Sequence, residues 1–514
     1  MSDPILTDPW RVIRDLYTAC DPATTEKFPK FVTEHFKSHL QAPDVFAQVP
    51  VLDLKHPPES FSDGSVVVFH AMIQDTSISP ELYLAFSENG VGGGWGLPDG
   101  GTNQTGDVRT SDLRECSVFW AVTIPGLSAW CFEGNPLSET SVAHCCMRPH
   151  KYPVPDAPHI GVQLKAISTS HGQIYDETLA RPLRTTDLSS FVGILTSEPV
   201  QASLEQPTPS NVVTLHVLFS ITIPSSVIPR LFPDSSLIPT IKSLREEIIQ
   251  WIADEGLAGD RYAAEWVLLC AVARVRSRTP PVLPLSFTLA GFPPPLGDSS
   301  TTPTLHHVLS QLFPLVTTVP LSLNNLNNTS SCPESKDEDL HSGWLQHPKG
   351  SILLLTESAV TEGGIFNKGV MNIHSVQEMM RDQILDYIFP FSSFRFDTDC
   401  SFVIVTEGKK STFFKACIQT NINVLLRPVL PVDRARQALY KSSDLISLPP
   451  PDKLSQFRRL VGGSKIGQVT IGESTGKHIE EDFLQERSTA TKGAKGQGFT
   501  PDDLVQRVLV ARQV

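Results

Sequence analysis

The sequence predicts a multidomain protein of mixed α+β and α/β class, in which a small β-barrel precedes an α/β unit and a helical end. Its 514 residues exceed what a single hydrophobic core supports, so two to four domains are expected. Hydrophobic residues make up 40% of the chain, which is sufficient for real cores. Residues 51–200 contain short runs typical of strands, whereas residues 240–432 alternate strand patterns with helix patterns.

The chain opens with two amphipathic patterns, at residues 10–17 and 27–40. In the second, Phe28 and Phe36 belong to a set of apolar residues that recurs with helical spacing. We therefore predict a helical N-terminal cap over residues 1–50.

The barrel is predicted over residues 51–200 because strand patterns there are separated by polar or Gly-rich connections. Residues 90–106 are predicted to form a Gly-rich loop, and residues 132–158 an insertion. The five predicted strands cover residues 65–74, 81–86, 117–124, 161–167 and 190–195.

Residues 201–239 are predicted to form a Pro-rich linker and a strand at 212–223. The α/β domain follows over residues 240–432, and its second helix is expected to begin after Asp260 as N-cap. A helical C-terminal region is predicted over residues 433–514, with a capping-box-like helix start at Thr500. In the α/β domain the other predicted elements are a helix from 240, strands at 283–289, 351–355 and 401–405, and helices at 304–313 and 376–388.

Composition excludes several classes of function. With 42 Lys and Arg against 55 Asp and Glu, the net charge of −13 disfavours non-specific binding to nucleic acid. The nine cysteines are scattered without a CxxC pair, so neither a disulfide framework nor a zinc module is indicated. Because no apolar run reaches the roughly 20 residues that cross a bilayer, we expect a soluble intracellular protein.

A strand-like run, Ser351 to Glu357, ends where a Walker B strand would carry two acids. In such a strand the first acid holds magnesium and the second polarises water. Here Thr356 occupies the first position and only Glu357 is acidic, so the metal anchor is missing. An ordinary core strand has the same pattern, and the run alone does not separate the two interpretations.

The loop after the preceding strand lacks the features of a phosphate cradle. It reads Gly-Phe-Pro-Pro-Pro-Leu-Gly over residues 291–297, and no Lys or Arg occurs between Arg278 and Lys336. Proline has no N–H to offer a phosphate. A second candidate, Gly472 to His478, is one residue too short for a P-loop and ends in His, which indicates a Gly-rich turn before a helix.

Other chemistry-bearing clusters have simple structural interpretations. His35 and His39 have zinc-pair spacing without a third ligand, so a solvated helix face is expected. His306 and His307 are adjacent and point to different helix faces. Asp397 and Asp399 are interpreted as a solvated turn, and the same interpretation applies to Glu480, Glu481 and Asp482.

A nucleic-acid surface would require the basic cluster of Arg274, Arg276 and Arg278 to combine with aromatic residues of the barrel. Barrel aromatics are more often core residues. The candidates are Phe69, Tyr83 and Phe119.

Seven short segments, in the same order, resemble the minichromosome maintenance (MCM) complex-binding protein family. The most recognisable is Met-Ile-Gln-Asp at residues 72–75, within the block 64–83. The other blocks are 119–130 with Ile-Pro-Gly, 188–199 with Gly-Ile-Leu, 259–293 with Ala-Ala-Glu, 343–369, 402–410 with Thr-Glu-Gly, and 501–512 with Asp-Asp-Leu and Val-Ala-Arg.

This sequence departs from the family in three places. Relatives commonly keep Ile-Asp-Glu where Thr356 and Glu357 stand. They have a helical segment where Gly472 to His478 lies, and they usually continue beyond the residues equivalent to 510–512, whereas this sequence stops at Val514.

The resemblance implies a nuclear, non-enzymatic protein that binds subunits of the MCM replicative helicase and supports their assembly, stability or unloading from chromatin. It also implies a role in the cell cycle, in DNA replication and sister-chromatid cohesion, with indirect chromatin association, no cofactor and no catalytic or metal site. Direct contact with nucleic acid is not expected. The predicted layout is similar to that of an MCM subunit, with an OB-like barrel at 51–200, a degenerate AAA+-like domain without Walker A at 240–432, and a lid-like helical region at 433–514.

Two alternatives remain open at the level of sequence. One is a single-stranded DNA-binding OB-fold protein, and the other is a residual AAA+-type ATPase. The sequence does not identify the MCM subunit that is contacted or the residues that contact it.

Overall fold

A computed structural model describes most of the chain. The described residues are 4–20, 27–40, 42–84, 113–131, 159–167, 175–176, 181–199, 211–223, 238–279, 281–295, 302–336, 339–358, 363–414, 421–467 and 472–492. The predicted loop at 90–106, the insertion at 132–158 and the helix from Thr500 lie outside them.

The elements up to residue 225 are α1 (Pro4–Thr7), α2 (Pro9–Thr18), α3 (Phe28–Leu40), α4 (Pro43–Phe46), β1 (Val51–Leu52), β2 (Val66–Asp75), β3 (Glu81–Leu84), β4 (Leu113–Thr123), β5 (Gly161–Ala166), β6 (Tyr175–Asp176), β7 (Arg181–Pro182), β8 (Leu188–Pro199) and β9 (Asn211–Thr222). Those that follow are α5 (Ile238–Gly256), α6 (Arg261–Val272), β10 (Ser277–Arg278), β11 (Pro281–Val282), β12 (Ser286–Ala290), α7 (Thr304–Leu312), β13 (Val316–Pro320), α8 (Leu323–Asn328), β14 (Glu334–Lys336), β15 (Asp339–His341), β16 (Ile352–Thr356), α9 (Asn367–Asp382), β17 (Ile384–Phe389), β18 (Ser392–Asp397), β19 (Ser401–Val405), β20 (Asn421–Leu425), α10 (Val432–Leu439), α11 (Pro451–Ile466) and α12 (Glu473–Lys492).

These elements form two compact units, so the chain is a mixed α/β protein of more than one domain. The first unit comprises Met1–Pro125, Leu137–Ser225 and Pro333–Pro348. The second comprises Gly126–Pro136, Ser226–Cys332 and Lys349–Val514.

The first unit is built on a closed ring of five strands. β2 pairs with β4 and β8, β5 pairs with β4 and β9, and β8 pairs with β9, which closes the ring. Of the five strand pairs in the ring, only β5–β9 is parallel. If the ring strands β2, β4, β5, β8 and β9 are numbered 1 to 5 in chain order, their order around the ring is 1-2-3-5-4. The ring is completed by β9, which the sequence pattern placed after a linker, whereas the predicted strand at 81–86 is β3, an edge strand outside the ring.

Side chains of β2 alternate between two cores, one inside the ring and one beneath the N-terminal helices. Val67 and Phe69 lie in the core of the ring. Val66 and Val68 face the other way and pack in a second core with Phe36 of α3. The strand is therefore apolar on both faces, because one face fills the ring and the other is covered by helices.

The second unit contains a five-stranded parallel sheet in the order β13-β16-β19-β12-β20. Numbered along the chain, this order is 2-3-4-1-5. All five residues of β12, of β16 and of β19 are buried, as is typical of a sheet covered on both faces. The residues on one face of these strands, among them Phe287, Leu354 and Val403, share a core with apolar residues of α5, α6, α7, α10 and α11.

The predicted N-cap of the second helix is confirmed. Asp260 precedes α6, and its carboxylate accepts a hydrogen bond from the Ala263 N–H at 3.0 Å. The same carboxylate accepts from the Arg427 N–H at 2.6 Å, so the cap also fixes the chain after β20.

The predicted helix at 376–388 is wrong at both ends. The helix begins at Asn367 and ends at Asp382, after which Gln383 adopts a left-handed conformation with φ of 54°. The residues that follow form β17, where Leu385 and Tyr387 are buried in alternation with more exposed neighbours. This two-residue period is that of a strand, and it overrides the apolar content that suggested a longer helix.

No helix among the described residues combines the length and the apolar character that a membrane span requires.

Candidate functional site

Strands β12, β16 and β19 end together at the carboxyl edge of the parallel sheet. Leu289 and Thr356 both pair with Val405, so the three strands are in register at this point. Ligands of open parallel sheets bind outside this edge. The residues that follow the strands, including Gly291 and Glu357, therefore form the candidate site.

Glu357 is a buried residue whose carboxylate is already held by the protein. One oxygen accepts the Ser411 hydroxyl at 2.5 Å and, more weakly, the Phe413 N–H at 3.5 Å. The other oxygen accepts the Thr412 N–H at 2.9 Å. The Ser411 hydroxyl in turn accepts the Phe414 N–H at 3.0 Å, so the carboxylate organises the whole segment 411–414.

This arrangement makes Glu357 an internal anchor. A general base needs an oxygen within reach of a water or substrate proton, whereas the oxygens of this buried carboxylate face protein donors. Thr356, at the position of the metal-holding acid, is buried, and its carbonyl accepts the Leu321 N–H at 2.9 Å. The carboxylate that would anchor magnesium is absent from this strand.

The loop after β12 offers no free N–H over its described residues, 291–295. The Gly291 N–H donates to the Gly408 carbonyl and the Phe292 N–H to the Thr406 carbonyl, both at 3.0 Å. The next three residues are prolines, which have no N–H. A phosphate cradle is built from backbone N–H groups, and here both that exist are hydrogen-bonded to the neighbouring strand end.

Two aromatic rings, those of Phe292 and Tyr440, pack against each other at this loop. Phe292 is buried in the main core of the second unit and meets the Tyr440 ring edge to face, with centroids 5.7 Å apart. The Tyr440 hydroxyl donates to the Pro293 carbonyl at 3.0 Å. Burial raises the pKa of the Tyr440 hydroxyl, with Glu407 adding to the effect.

The N-terminus of α7, which in a nucleotide site would receive phosphate, is also covered. The Thr304 hydroxyl donates to the Ala438 carbonyl at 3.0 Å and accepts the Lys441 N–H at 2.6 Å. Residues at and after the end of α10 therefore lie on the helix end to which an anion would bind.

The prediction that Gly472 to His478 is a Gly-rich turn before a helix is wrong, because all of it after Gly472 belongs to the helix itself. α12 starts at Glu473, and the Gly476 N–H donates to the Gly472 carbonyl at 2.9 Å. Lys477 pairs with Glu473 at 3.0 Å and His478 with Asp482 at 3.7 Å, each one helical turn apart. Helical backbone directs these N–H groups along the axis, so they do not wrap a phosphate.

Two of the three arginines of the basic cluster cap helices. Arg276 donates to the Gly467 and Ser464 carbonyls at the end of α11. Arg278 donates to the Gln383 carbonyl after α9 at 3.3 Å and to the Thr398 carbonyl at 2.7 Å. Cations at helix C-termini are favourable because the last carbonyls lack helical partners. These two guanidinium groups therefore stabilise the fold, and no basic surface forms from them.

The barrel aromatics do not form a stacking platform. Phe69 and Phe119 lie in the core of the ring. Tyr83 of β3 is partly buried, and burial raises the pKa of its hydroxyl.

The histidine and acidic candidates do not assemble a metal site. His39 is exposed and its ring stands 4.6 Å from that of His35, whereas His306 and His307 meet edge to face at 5.3 Å although they are adjacent in sequence. Burial, with the neighbouring His307, lowers the pKa of His306 to about 4. Throughout the part of the chain that the structure describes, no group of three or more His, Cys, Asp and Glu side chains could hold a metal ion.

The prediction of a solvated turn at Asp397 and Asp399 is wrong for both residues, because the first is solvated but lies on a strand and the second is largely buried. Asp397 lies on β18 and pairs with Arg278 at 3.3 Å. Asp399 is largely buried, accepts the Val275 N–H at 2.8 Å, and has its pKa raised by burial. Glu480, Glu481 and Asp482 are exposed as expected, but they lie on α12, so the turn predicted for them is wrong.

Sequence reasoning missed the residues that occupy the carboxyl edge. Ser411, Phe292 and Tyr440 carry no motif, and each acts through a contact with a distant part of the chain. The prolines after Phe292 and the absence of Lys and Arg from the segment were the local signals that the loop is not a cradle.

The fold and the residues at the carboxyl edge of the sheet define the class of protein. It is a mixed α/β protein of two units, with a five-stranded barrel in one and, in the other, a parallel sheet whose carboxyl edge is hydrogen-bonded to the protein itself. A family model described as mini-chromosome maintenance replisome factor matches residues 150–514, which is more than half of the chain. The chain belongs to this family, and the resemblance seen in the sequence is confirmed.

Relatives extend the similarity to almost the full length. The mini-chromosome maintenance complex-binding protein of Gallus gallus is 22% identical, over 99% of this chain and 92% of its own length. The protein of the same name from Arabidopsis thaliana is 22% identical, over 95% of this chain and 90% of its own. That of Homo sapiens is 28% identical over 54% of this chain and 41% of its own length.

Proposed function

We propose that this protein is a non-enzymatic binding partner of the MCM replicative helicase, which supports assembly, stability or chromatin unloading of MCM subunits in DNA replication and sister-chromatid cohesion. The single observation that carries the proposal is membership of the family over residues 150–514, with relatives named as MCM complex-binding proteins along nearly the whole chain. The protein would act in the nucleus and reach chromatin through its partner.

The architecture supports a finer proposal, that the two units are OB-like and AAA+-like. A five-stranded barrel in the ring order 1-2-3-5-4 with one parallel pair has the connectivity of an OB-fold. The sheet order 5-1-4-3-2, counted from β20, is that of an AAA+ core. Since an MCM subunit combines an OB-fold with an AAA+ core, a protein of the proposed layout would engage MCM subunits through surfaces that resemble those of their neighbours.

The proposal of binding without catalysis is supported by the carboxyl edge. Glu357 is held by three donors, and the N–H groups of Gly291 and Phe292 are held by strand-end carbonyls. Nucleotide would have to displace these contacts and the ring of Tyr440 before reaching the sheet.

Affinity purification of the tagged full-length protein from nuclear extract tests the main proposal. We expect MCM subunits in near-stoichiometric amounts, identified and quantified by mass spectrometry. A trace amount or none would overturn the function. Calorimetry with ATP, with and without magnesium, separates it from a residual ATPase, for which micromolar affinity is required.

Binding of a labelled oligonucleotide at physiological salt separates the proposal from a single-stranded DNA-binding protein. The net charge of −13 predicts no salt-sensitive shift. Fluorescence microscopy of the tagged protein tests the nuclear location, and an exclusively cytoplasmic signal would contradict it.

A further inference from the structure

The hairpin of β17 and β18 ends in an uncharged aromatic tip. The strands are paired from Ile384 with Asp397 to Phe389 with Ser392, leaving only Pro390 and Phe391 in the turn. We define the aromatic tip as residues 388–394, Ile-Phe-Pro-Phe-Ser-Ser-Phe, which contain no charged side chain.

Three large apolar side chains of the tip are exposed to solvent. Phe391 is fully exposed, Phe394 is 55% exposed and Ile388 37%. All six residues of β18 are exposed, although the rings of Phe394 and Phe396 each contact an aromatic ring of β17. Contiguous exposed apolar surface of this kind marks interaction sites in soluble proteins.

The stem of the hairpin is held firmly by the second unit. Tyr387 and Leu385 are buried, and the Tyr387 ring lies 4.4 Å from that of Phe396. At the base, the Gln383 side chain bonds both the carbonyl and the N–H of Cys400, at 3.0 and 2.7 Å. Arg278 adds its bonds to the carbonyls of Gln383 and Thr398 on the two sides of the stem.

The tip is itself ordered by an aromatic pair. The rings of Phe389 and Phe394 meet edge to face across the strands, with centroids 5.7 Å apart. A pre-organised tip on a clamped stem loses little conformational entropy when it binds. Rigid aromatic side chains are the residues that most often dominate the energy of protein interfaces.

The charges of the hairpin indicate that the tip binds a groove on another protein. Arg395 pairs with Asp386 at 3.2 Å, and Asp397 pairs with Arg278 at 3.3 Å. The tip thus presents no cation to a phosphate backbone or to an anionic membrane, and affinity for either depends on such cations. A neutral, aromatic tip is complementary to a neutral, apolar groove.

We infer that the aromatic tip inserts into an apolar groove on an MCM subunit and is the principal anchor of the complex. The identity of the partner rests on the proposed function, and the chemistry of the contact rests on the hairpin. The exposed edge of β18 lies beside the tip and can add main-chain hydrogen bonds to a strand of the partner.

The test compares two variants of the full-length protein. Phe391→Lys with Phe394→Ser alters the tip, and Phe366→Ser with Met371→Ser removes similar exposed apolar surface from the start of α9, where these side chains are 69% and 62% exposed. We expect the tip variant to bind purified MCM subunits at least about 30-fold more weakly, and the control to bind as the wild type does. Unchanged binding by the tip variant, or an equal loss in the control, overturns the inference.

A photo-crosslinking amino acid at position 391 gives a readout independent of affinity and of any loss of folding. Because Phe391 is fully exposed, the substitution removes no packing. We expect a crosslink to one MCM subunit, whereas a crosslink only to nucleic acid or to a second copy of this chain contradicts the inference. If the wild type recovers no MCM subunit, the proposed function fails; if it does and the tip variant binds equally, only the inference fails.

Discussion

The substitution Glu357→Gln distinguishes an anchoring carboxylate from a catalytic one. The side chain is 6% exposed and accepts the Ser411 hydroxyl at 2.5 Å and the Thr412 N–H at 2.9 Å. Glutamine keeps the shape and one accepting oxygen, but it removes the charge and places an amide N–H opposite one of the donors.

The expected loss follows from these contacts. A hydrogen bond to a charged acceptor contributes roughly 1.5–3 kcal/mol, against about 0.5–1.5 kcal/mol for a neutral one. Glu357→Gln weakens one of the two hydrogen bonds, from the Ser411 hydroxyl or the Thr412 N–H, and leaves the other buried donor without an acceptor. We therefore expect the free energy of unfolding to fall by about 3 kcal/mol. Ser411→Ala, which removes only the hydroxyl, is expected to lower it by about 1–2 kcal/mol.

Urea denaturation of the full-length protein, followed by far-UV circular dichroism, measures both changes. The double variant should lose less than the sum of the single variants, because the two substitutions remove the same hydrogen bond. The catalytic interpretation predicts the opposite pattern: an unchanged urea midpoint with altered binding of magnesium and ATP. That result would refute the assignment of Glu357 as an anchor.

Two further predictions concern buried and capping cations. Burial lowers the pKa of Lys465 to about 8, although Asp399 acts in the other direction. Between about pH 8 and 10.5 this side chain is therefore less protonated in the folded state than in the unfolded state, and its own contribution to the free energy of unfolding should rise with pH by up to about 3 kcal/mol. Buried thiols such as Cys270, whose pKa burial raises, contribute in the opposite direction, so the rise is measured as the difference between the wild type and Lys465→Met. Lys465→Met should remove this rise in pH-dependent urea titrations, whereas Lys453→Met on the same helix, at a more exposed pair with Glu247, should retain it. Arg278→Ala should lower the free energy of unfolding by about 1–2 kcal/mol through loss of its carbonyl contacts, without any change in oligonucleotide binding. A weaker oligonucleotide shift in a variant of unchanged stability would instead support a nucleic-acid surface.

Local patterns were sufficient for much of the fold. The helix at 10–17, the strand at 401–405 and the N-cap Asp260 were predicted from spacing and residue type, and the structure has α2, β19 and the cap of α6 at these places. Each is determined by residues that are neighbours in sequence.

Strands with a weak local signal were missed. β13, Val-Thr-Thr-Val-Pro, and β20, Asn-Ile-Asn-Val-Leu, are short and mix polar with apolar residues. They are strands because β16 and β12 supply their hydrogen-bonding partners. A partner of this kind cannot be read from the segment itself.

The division of the chain is likewise a tertiary property. Ser128 and Trp130, which directly follow the barrel strand β4 and its short connection, belong to the second unit. The Ser128 N–H donates to the Pro314 carbonyl at 2.8 Å, and the Trp130 indole donates to the Ser310 carbonyl at 2.7 Å. The amino-acid composition does not change where the chain passes from the first unit to the second, after Pro125.

By itself, the sequence determined the family, the periodic elements, the absence of Lys and Arg after β12 and the loss of the first acid at Thr356, because all of these depend on residue type and short spacing. Only the tertiary structure decided what the surviving acid does. Glu357 and Ser411 are 54 residues apart, and they meet because β16 and β19 lie side by side in the sheet. A carboxylate is a base or an anchor according to the groups that surround it, and those groups are supplied by distant parts of the chain.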